Sequence, residues 1–281
     1  MAAESETPRI GMIGAGAMGT LFGFHLAGCS QVTMLDDNAA VADAVARDGV
    51  RVNGEPARAV TVARHPRDLY GSQMLFLFVK AVDTLHALRA FAGELDPAAP
   101  VISLQNGVGN EDAIKTALGG AVPVILGITT ESSQTVAPGR VRSSEQGNTI
   151  IGSTTASSRT SRMVAELLTR SGLRASVVYD IRPHLWGKLV ANASVNALSA
   201  LLDCNAGEIP RDPNAAHLAE ALAEETANVA AALKINLPFV NPWQYVTEVV
   251  ALGADAKSSM AYDLESGHPS EIDHLNGAVV A

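Results

Sequence analysis

The sequence predicts an α/β chain, a doubly wound parallel sheet followed by an all-helical domain, and three observations carry that prediction. From Arg9 to about Asp180, short apolar runs alternate with helical patterns, which argues parallel strands joined by crossover helices. After Arg182-Pro183 no strand pattern is convincing, and long Ala- and Leu-rich segments take over. Between the first apolar run and the first helical segment lies a glycine-rich turn, GAGAMG.

Taken in order, RIGMIG, QVTML, QMLFLFV, PVISL, PVILGI and RASVVY read as strands. The segment TTESSQTVAPGRVRSSEQGNTIIG breaks the rhythm. Its Pro138-Gly139 turn between two β-like stretches predicts an antiparallel excursion that decorates the far edge of the sheet. HLWGKLVANASVNALSALL, AAHLAEALAEETANVAAALK and PWQYVTEVVALGAD then read as helices. The restriction that proline places on its preceding residue sets the boundary, with one domain over residues 1–182 and a helical domain over 183–281.

Composition excludes several classes of function. The 281 residues are 47% apolar, enough for two buried cores, and carry a net charge of −9 with scattered Lys and Arg. No basic stripe marks a nucleic-acid surface. Cys29 and Cys204 are far apart and belong to no Cys/His cluster, so neither a disulfide framework nor a metal site is expected, and both read as buried free thiols. The N-terminal MAAESETPR is polar, and no apolar run reaches the ~20 residues of a membrane span. A cytoplasmic location with no membrane partner is the expectation.

GAGAMG gains meaning from its context, because it follows a strand directly and opens TLFGFHLAG, read as an amphipathic helix. Gly14 allows the tight turn, Gly16 lets the backbone approach a pyrophosphate, and Gly19 lets the helix pack on the strand. The Ala15, Ala17 and Met18 amides line the same turn. Asp36 ends the second strand roughly 20 residues on, where a carboxylate can accept hydrogen bonds from ribose hydroxyls. This is the dinucleotide-binding fingerprint of a Rossmann-type domain, and on the fingerprint alone flavin and nicotinamide stand level. A 2′-phosphate beside Asp36 and Asp37 would meet like charge, which favours NAD(H) over NADP(H), although Arg47 and Arg51 lie close enough in sequence to fold back.

Lys80 and Asn106 follow two further strands at their carboxyl ends, the side on which doubly wound sheets bind ligands; a surface lysine and an ordinary Asn-Gly turn are the plain alternatives. Lys188, Asn192 and Asn196 recur at i, i+4 steps and share one face of an otherwise apolar helix. Such a stripe faces either solvent or a cleft. The last segment gathers Ser258, Ser259, Asp263, Glu271 and His274 around a Gly-His-Pro break, and His274 reads as structural.

GAGAMG, Lys80, SLQNGVGNED, ITTE followed by APGRV, WGKLVANASVNALSALLDCNAGEI and SSMAYDLESGHPSEIDHLNG occur in this order over nearly the whole chain. In this the chain resembles the ketopantoate reductases, the 2-dehydropantoate 2-reductases of pantothenate biosynthesis. The resemblance implies a Rossmann domain joined to a helical domain, with a 2-oxo acid bound in the cleft between them. It gives Lys188 the proton donation to the ketone, and Glu271 the substrate hydroxyl and the lysine's environment. Asn106, Asn192, Asn196 and Ser259 match positions lining the substrate or cofactor pocket, and Lys80 matches one near the nicotinamide ribose. An ammonium is suited to the task, since a ketone that accepts hydride develops alkoxide charge.

The chain departs from the family at two places. Many members carry an arginine for the NADPH phosphate where this chain has Asp37; relatives with an acid there resemble NADH-dependent D-2-hydroxyacid dehydrogenases. The chain also stops at NGAVVA inside a helical pattern that relatives continue, so the second domain is expected to lack its last helices. The function expected is reduction of a 2-oxo acid, foremost 2-dehydropantoate to (R)-pantoate. A different branched or aromatic 2-oxo acid is the second reading, and a non-catalytic nucleotide sensor the third. A small-molecule substrate is the expected partner, with a homodimer allowed.

Overall fold

A computed structural model describes residues 7–120, 122–154 and 158–281; the first six residues of the polar N-terminal segment lie outside them. The chain divides into two compact units. The first comprises the residues up to Gln105 together with Asn110–Ile181, and the second comprises Asn106–Gly109 and Arg182–Ala281. Among the described residues, no helix is long and apolar enough to cross a membrane.

The first unit contains, in chain order, β1 (Arg9–Ile13), α1 (Ala17–Leu26), β2 (Gln31–Leu35), α2 (Ala39–Asp48), β3 (Arg51–Val52), β4 (Thr61–Val62), β5 (Met74–Leu77) and α3 (Thr84–Arg89). It continues with β6 (Val101–Ser103), α4 (Asn110–Leu118), β7 (Val124–Thr129), β8 (Ser133–Ala137), β9 (Arg140–Ser143), β10 (Thr149–Gly152), α5 (Ser158–Arg170) and β11 (Ala175–Val177). Eight strands form one sheet in the order β11-β10-β7-β6-β5-β1-β2-β4. Every neighbouring pair in it is parallel except β10 with β7. The central strands read as continuous apolar runs because helices cover both faces; all four residues of β5 are buried.

The excursion after β7 differs from the expectation. Its Pro138-Gly139 hairpin does not decorate the edge of the main sheet but forms a separate sheet, β3-β9-β8. The reason is β3, a strand of two residues too short to read from sequence, which pairs with β9 through Arg51↔Arg140 and Val52↔Val141. Val52 and Val141 are buried with Phe22 and Leu26 of α1 in one core. Helix α1 therefore packs against both sheets and is buried nearly all round, from Gly19 through Phe24, rather than amphipathic. Only β10 returns to the main sheet.

The second unit is helical: α6 (Arg182–Leu202), α7 (Pro213–Ala232), α8 (Pro242–Ala251), α9 (Ser259–Glu265) and α10 (Asn276–Val280). Asp212 caps α7 by accepting from the Asn214 and Ala215 amides at 2.9 Å, and Pro213 occupies the first turn, where no donor is lost. Ala215, Ala219 and Ala223 repeat at i, i+4 on α7 and let it lie close against Val190, Ala191, Val195 and Leu198 of α6, with Val246 and Val250 of α8 closing the cluster. Cys29 and Cys204 are free, and both are half-buried rather than fully buried.

Candidate active site

The glycine turn of the first unit has the geometry its sequence asks for. The Gly14 amide donates to the Leu35 carbonyl at 2.8 Å, tying the end of β1 to the end of β2, with φ of 99° at Gly14. A Cβ on Gly19 would lie 2.0 Å from the Gly14 carbonyl oxygen, so only glycine allows α1 to start this close to the strand. Around Gly16, by contrast, a Cβ would meet nothing within 4 Å. No side chain caps α1 and its first turn holds no acid, so its leading amides are left for an anion. Open space beside uncapped amides fits a pyrophosphate.

Asp36 is held against this turn. Its Oδ2 accepts from the Ala15 amide at 2.6 Å and its Oδ1 from the Asn38 amide at 3.0 Å, leaving lone pairs for a ribose. Asn38 in turn caps α2 through the Ala40 and Val41 amides. Asp37 is exposed. Arg47 grips Asp48 with two nitrogens, at 3.1 and 3.0 Å, rather than folding back toward Asp36. Arg51 lies in β3.

Lys80 stands half-buried at the start of a short 3-10 turn, Ala81–Asp83, just beyond β5. A residue the sequence reading passed over fixes that strand end: buried Gln105 donates from Nε2 to the Val79 carbonyl and to Thr84 Oγ1, each at 2.8 Å, and its Oε1 accepts from Ser103 Oγ at 2.9 Å. Its signal in the sequence is its place in SLQNG, at the end of an apolar strand and beside Asn106.

The second unit gathers the other polar residues. Lys188, Asn192 and Asn196 lie on one face of α6, each half-buried, while Leu189, Val190, Val195 and Leu198 bury the remainder. Glu271 precedes the 3-10 turn Ile272–His274, and its Oε2 accepts from Asn106 Nδ2 at 3.2 Å. A close backbone approach makes this contact: a Cβ on Gly107 would lie 2.4 Å from the His274 carbonyl oxygen. His274 thus serves through its backbone. Ser258 caps α9 and donates to the Asn196 carbonyl at 3.0 Å, which leaves Ser259 exposed as the first helical residue beside that stripe. Asn276 Nδ2 donates to the Ala193 carbonyl at 2.8 Å and ties α10 to the same helix.

Burial lowers the pKa of the Lys188 ammonium from the ordinary 10.5 to about 8, while the charge of Glu271 pulls it upward. A lysine poised there is mostly protonated at neutral pH yet gives up its proton readily, as a general acid requires.

Two family models match the chain: ketopantoate reductase PanE/ApbA over residues 10–156, and ketopantoate reductase PanE/ApbA C terminal over residues 180–281. The chain belongs to the ketopantoate reductase family. It is a 2-dehydropantoate 2-reductase-like oxidoreductase that uses a nicotinamide cofactor. A 2-dehydropantoate 2-reductase of Archaeoglobus fulgidus is 33% identical over 277 residues, covering 97% of this chain and 90% of that protein. Its counterpart from Halobacterium salinarum is 31% identical over 97% of this chain and 91% of its own length. Among solved structures, a PanE/ApbA family ketopantoate reductase from Ralstonia eutropha JMP134 superposes with a TM-score of 0.88 at 28% identity, covering 97% of this chain and 90% of that one. D-mandelate dehydrogenase with NADH and anilino(oxo)acetate gives a TM-score of 0.86 at 25% identity, with the same coverage of both chains.

Proposed function

We propose that the chain reduces 2-dehydropantoate to (R)-pantoate with NADH, using the first unit to bind the dinucleotide and the second to supply the acid. The lowered lysine carries this reading: Lys188, with Glu271 held by Asn106, is the arrangement a ketone reduction needs. Reduced nicotinamide supplies the hydride when bound. Lys188 hydrogen-bonds the ketone oxygen, stabilises the negative charge that develops there and gives it a proton, becoming a neutral amine that solvent protonates again. Asn192, Asn196 and Ser259 orient the substrate's polar groups, and Glu271 accepts from its hydroxyl while holding the lysine's charge. Lys80 steadies the nicotinamide ribose. The preference for NADH rests on Asp36 and exposed Asp37, with Arg47 occupied by Asp48.

A second reading keeps this chemistry and changes the substrate to another branched or aromatic 2-oxo acid, as in an NADH-dependent D-2-hydroxyacid dehydrogenase. The acidic pair and the likeness to D-mandelate dehydrogenase favour it. Steady-state turnover on 2-dehydropantoate, 2-oxoisocaproate and phenylglyoxylate, each with NADH and NADPH, separates the two. The first reading expects kcat/KM highest on 2-dehydropantoate with NADH; a higher value on either other acid transfers the assignment to the second.

A further inference from the structure

Resting on the nicotinamide reading, we propose that Glu131 receives the carboxamide of the nicotinamide ring. Glu131 stands just beyond β7 and is only 9% exposed, yet its Oε2 is buried with no hydrogen-bond partner among the described residues. A buried acceptor left unpaired costs folding free energy until a donor reaches it, and such groups recur at ligand sites. The backbone around it is held firmly. The Glu131 amide donates to Thr129 Oγ1 at 3.1 Å, the Thr130 amide donates to the Asn148 carbonyl at 3.0 Å, and the Asn148 amide donates to Thr130 Oγ1 at 2.8 Å. Gly147 packs so closely that a Cβ there would lie 2.2 Å from the Glu131 nitrogen.

Location identifies the ligand. Strand β7 runs parallel to β6, β5 and β1, so it ends on the same edge of the sheet as the Gly14–Gly19 turn. Two residues past Glu131, Ser133 Oγ donates to the carbonyl of Ala17, the first residue of α1, at 3.1 Å. A dinucleotide lying across that turn places its adenosine ribose at Asp36, beyond β2, and its other half over β5, β6 and β7. On that half the carboxamide is the amide donor, and its N–H2 matches an acceptor-only carboxylate. Glu131 is on this account a cofactor-positioning residue.

Calorimetric titration of the full chain with NADH and with the reduced 3-acetylpyridine analogue, whose acetyl group has no N–H, tests the assignment. NADH binding by the parent protein first establishes the nicotinamide reading independently. Glu131→Leu is expected to raise the NADH Kd about tenfold and to leave the analogue's Kd unchanged, while Glu131→Gln, which keeps an acceptor oxygen, stays within about threefold of the parent. Equal losses for both cofactors, or no loss for either, overturn the proposal. Should Glu131→Leu not fold, an unaltered preference for NADH over the analogue in Glu131→Asp, whose carboxylate is retracted by one methylene, overturns it as well.

Discussion

Asn106 and Glu271 are far apart in sequence and meet across 3.2 Å, because the turn after β6 belongs by its contacts to the helical unit. The bond fixes the carboxylate whose charge acts on Lys188. Asn106→Ala removes one donor from the Glu271 carboxylate, and kcat/KM for ketone reduction is expected to fall by about tenfold to a hundredfold, with a smaller change in melting temperature. Paired kinetics and thermal melts on the purified variant check this.

Under the proposed function, titration of Lys188 sets the pH dependence. With Lys188 losing its proton at about 8, the rate of reduction is expected to be level below that pH and to fall about tenfold per unit above it, whereas oxidation of the hydroxy acid rises over the same range. Stability moves in a defined direction too. The folded chain binds this proton more weakly than the unfolded chain, in which lysine titrates near 10.5. The resulting penalty is complete below pH 8, so Lys188 makes stability rise between about 8 and 10.5. A Lys188→Met variant loses that rise, as denaturant titrations across this pH range can measure.

Two glycines of the turn separate folding from binding. Gly16→Ala adds a methyl group where nothing lies within 4 Å, so melting is expected to change by little while the NADH Kd rises at least about tenfold as the methyl meets the pyrophosphate. Gly19→Ala drives a methyl to 2.0 Å from the Gly14 carbonyl and is expected to cost about 1–3 kcal/mol of stability. Melting curves with and without NADH distinguish the two outcomes.

In the proposed function the acidic pair Asp36 and Asp37 selects NADH. Asp37 is exposed and makes room for a longer side chain, so Asp37→Arg is expected to raise the NADPH-to-NADH ratio of kcat/KM by about tenfold to a hundredfold. A ratio that does not move places the discrimination elsewhere.

Local chemistry made much of this site readable. GAGAMG with Asp36 needs only neighbouring strands, and the Lys188, Asn192, Asn196 face needs only helical periodicity. What lay hidden depends on long-range pairing. Strand β3 is defined by its partner Arg140–Ser143 rather than by any pattern of its own, and it turned an expected edge hairpin into a second sheet and an expected amphipathic helix into a buried one. The Asn106–Glu271 bond is likewise created by the approach of Gly107 to the His274 backbone, which no spacing encodes. Gln105 and Glu131 sit inside motifs that were plain to see, but their burial and partners are tertiary facts.

Proton supply by Lys188, with the dinucleotide bound by the first unit, is tested by one comparison: turnover and NADH affinity of Lys188→Ala beside the parent. The expected result is a loss of at least about a thousandfold in kcat for the 2-oxo acid with the NADH Kd within about threefold. Turnover that survives within tenfold, or that is already absent in a parent able to bind NADH, rules out that role for Lys188.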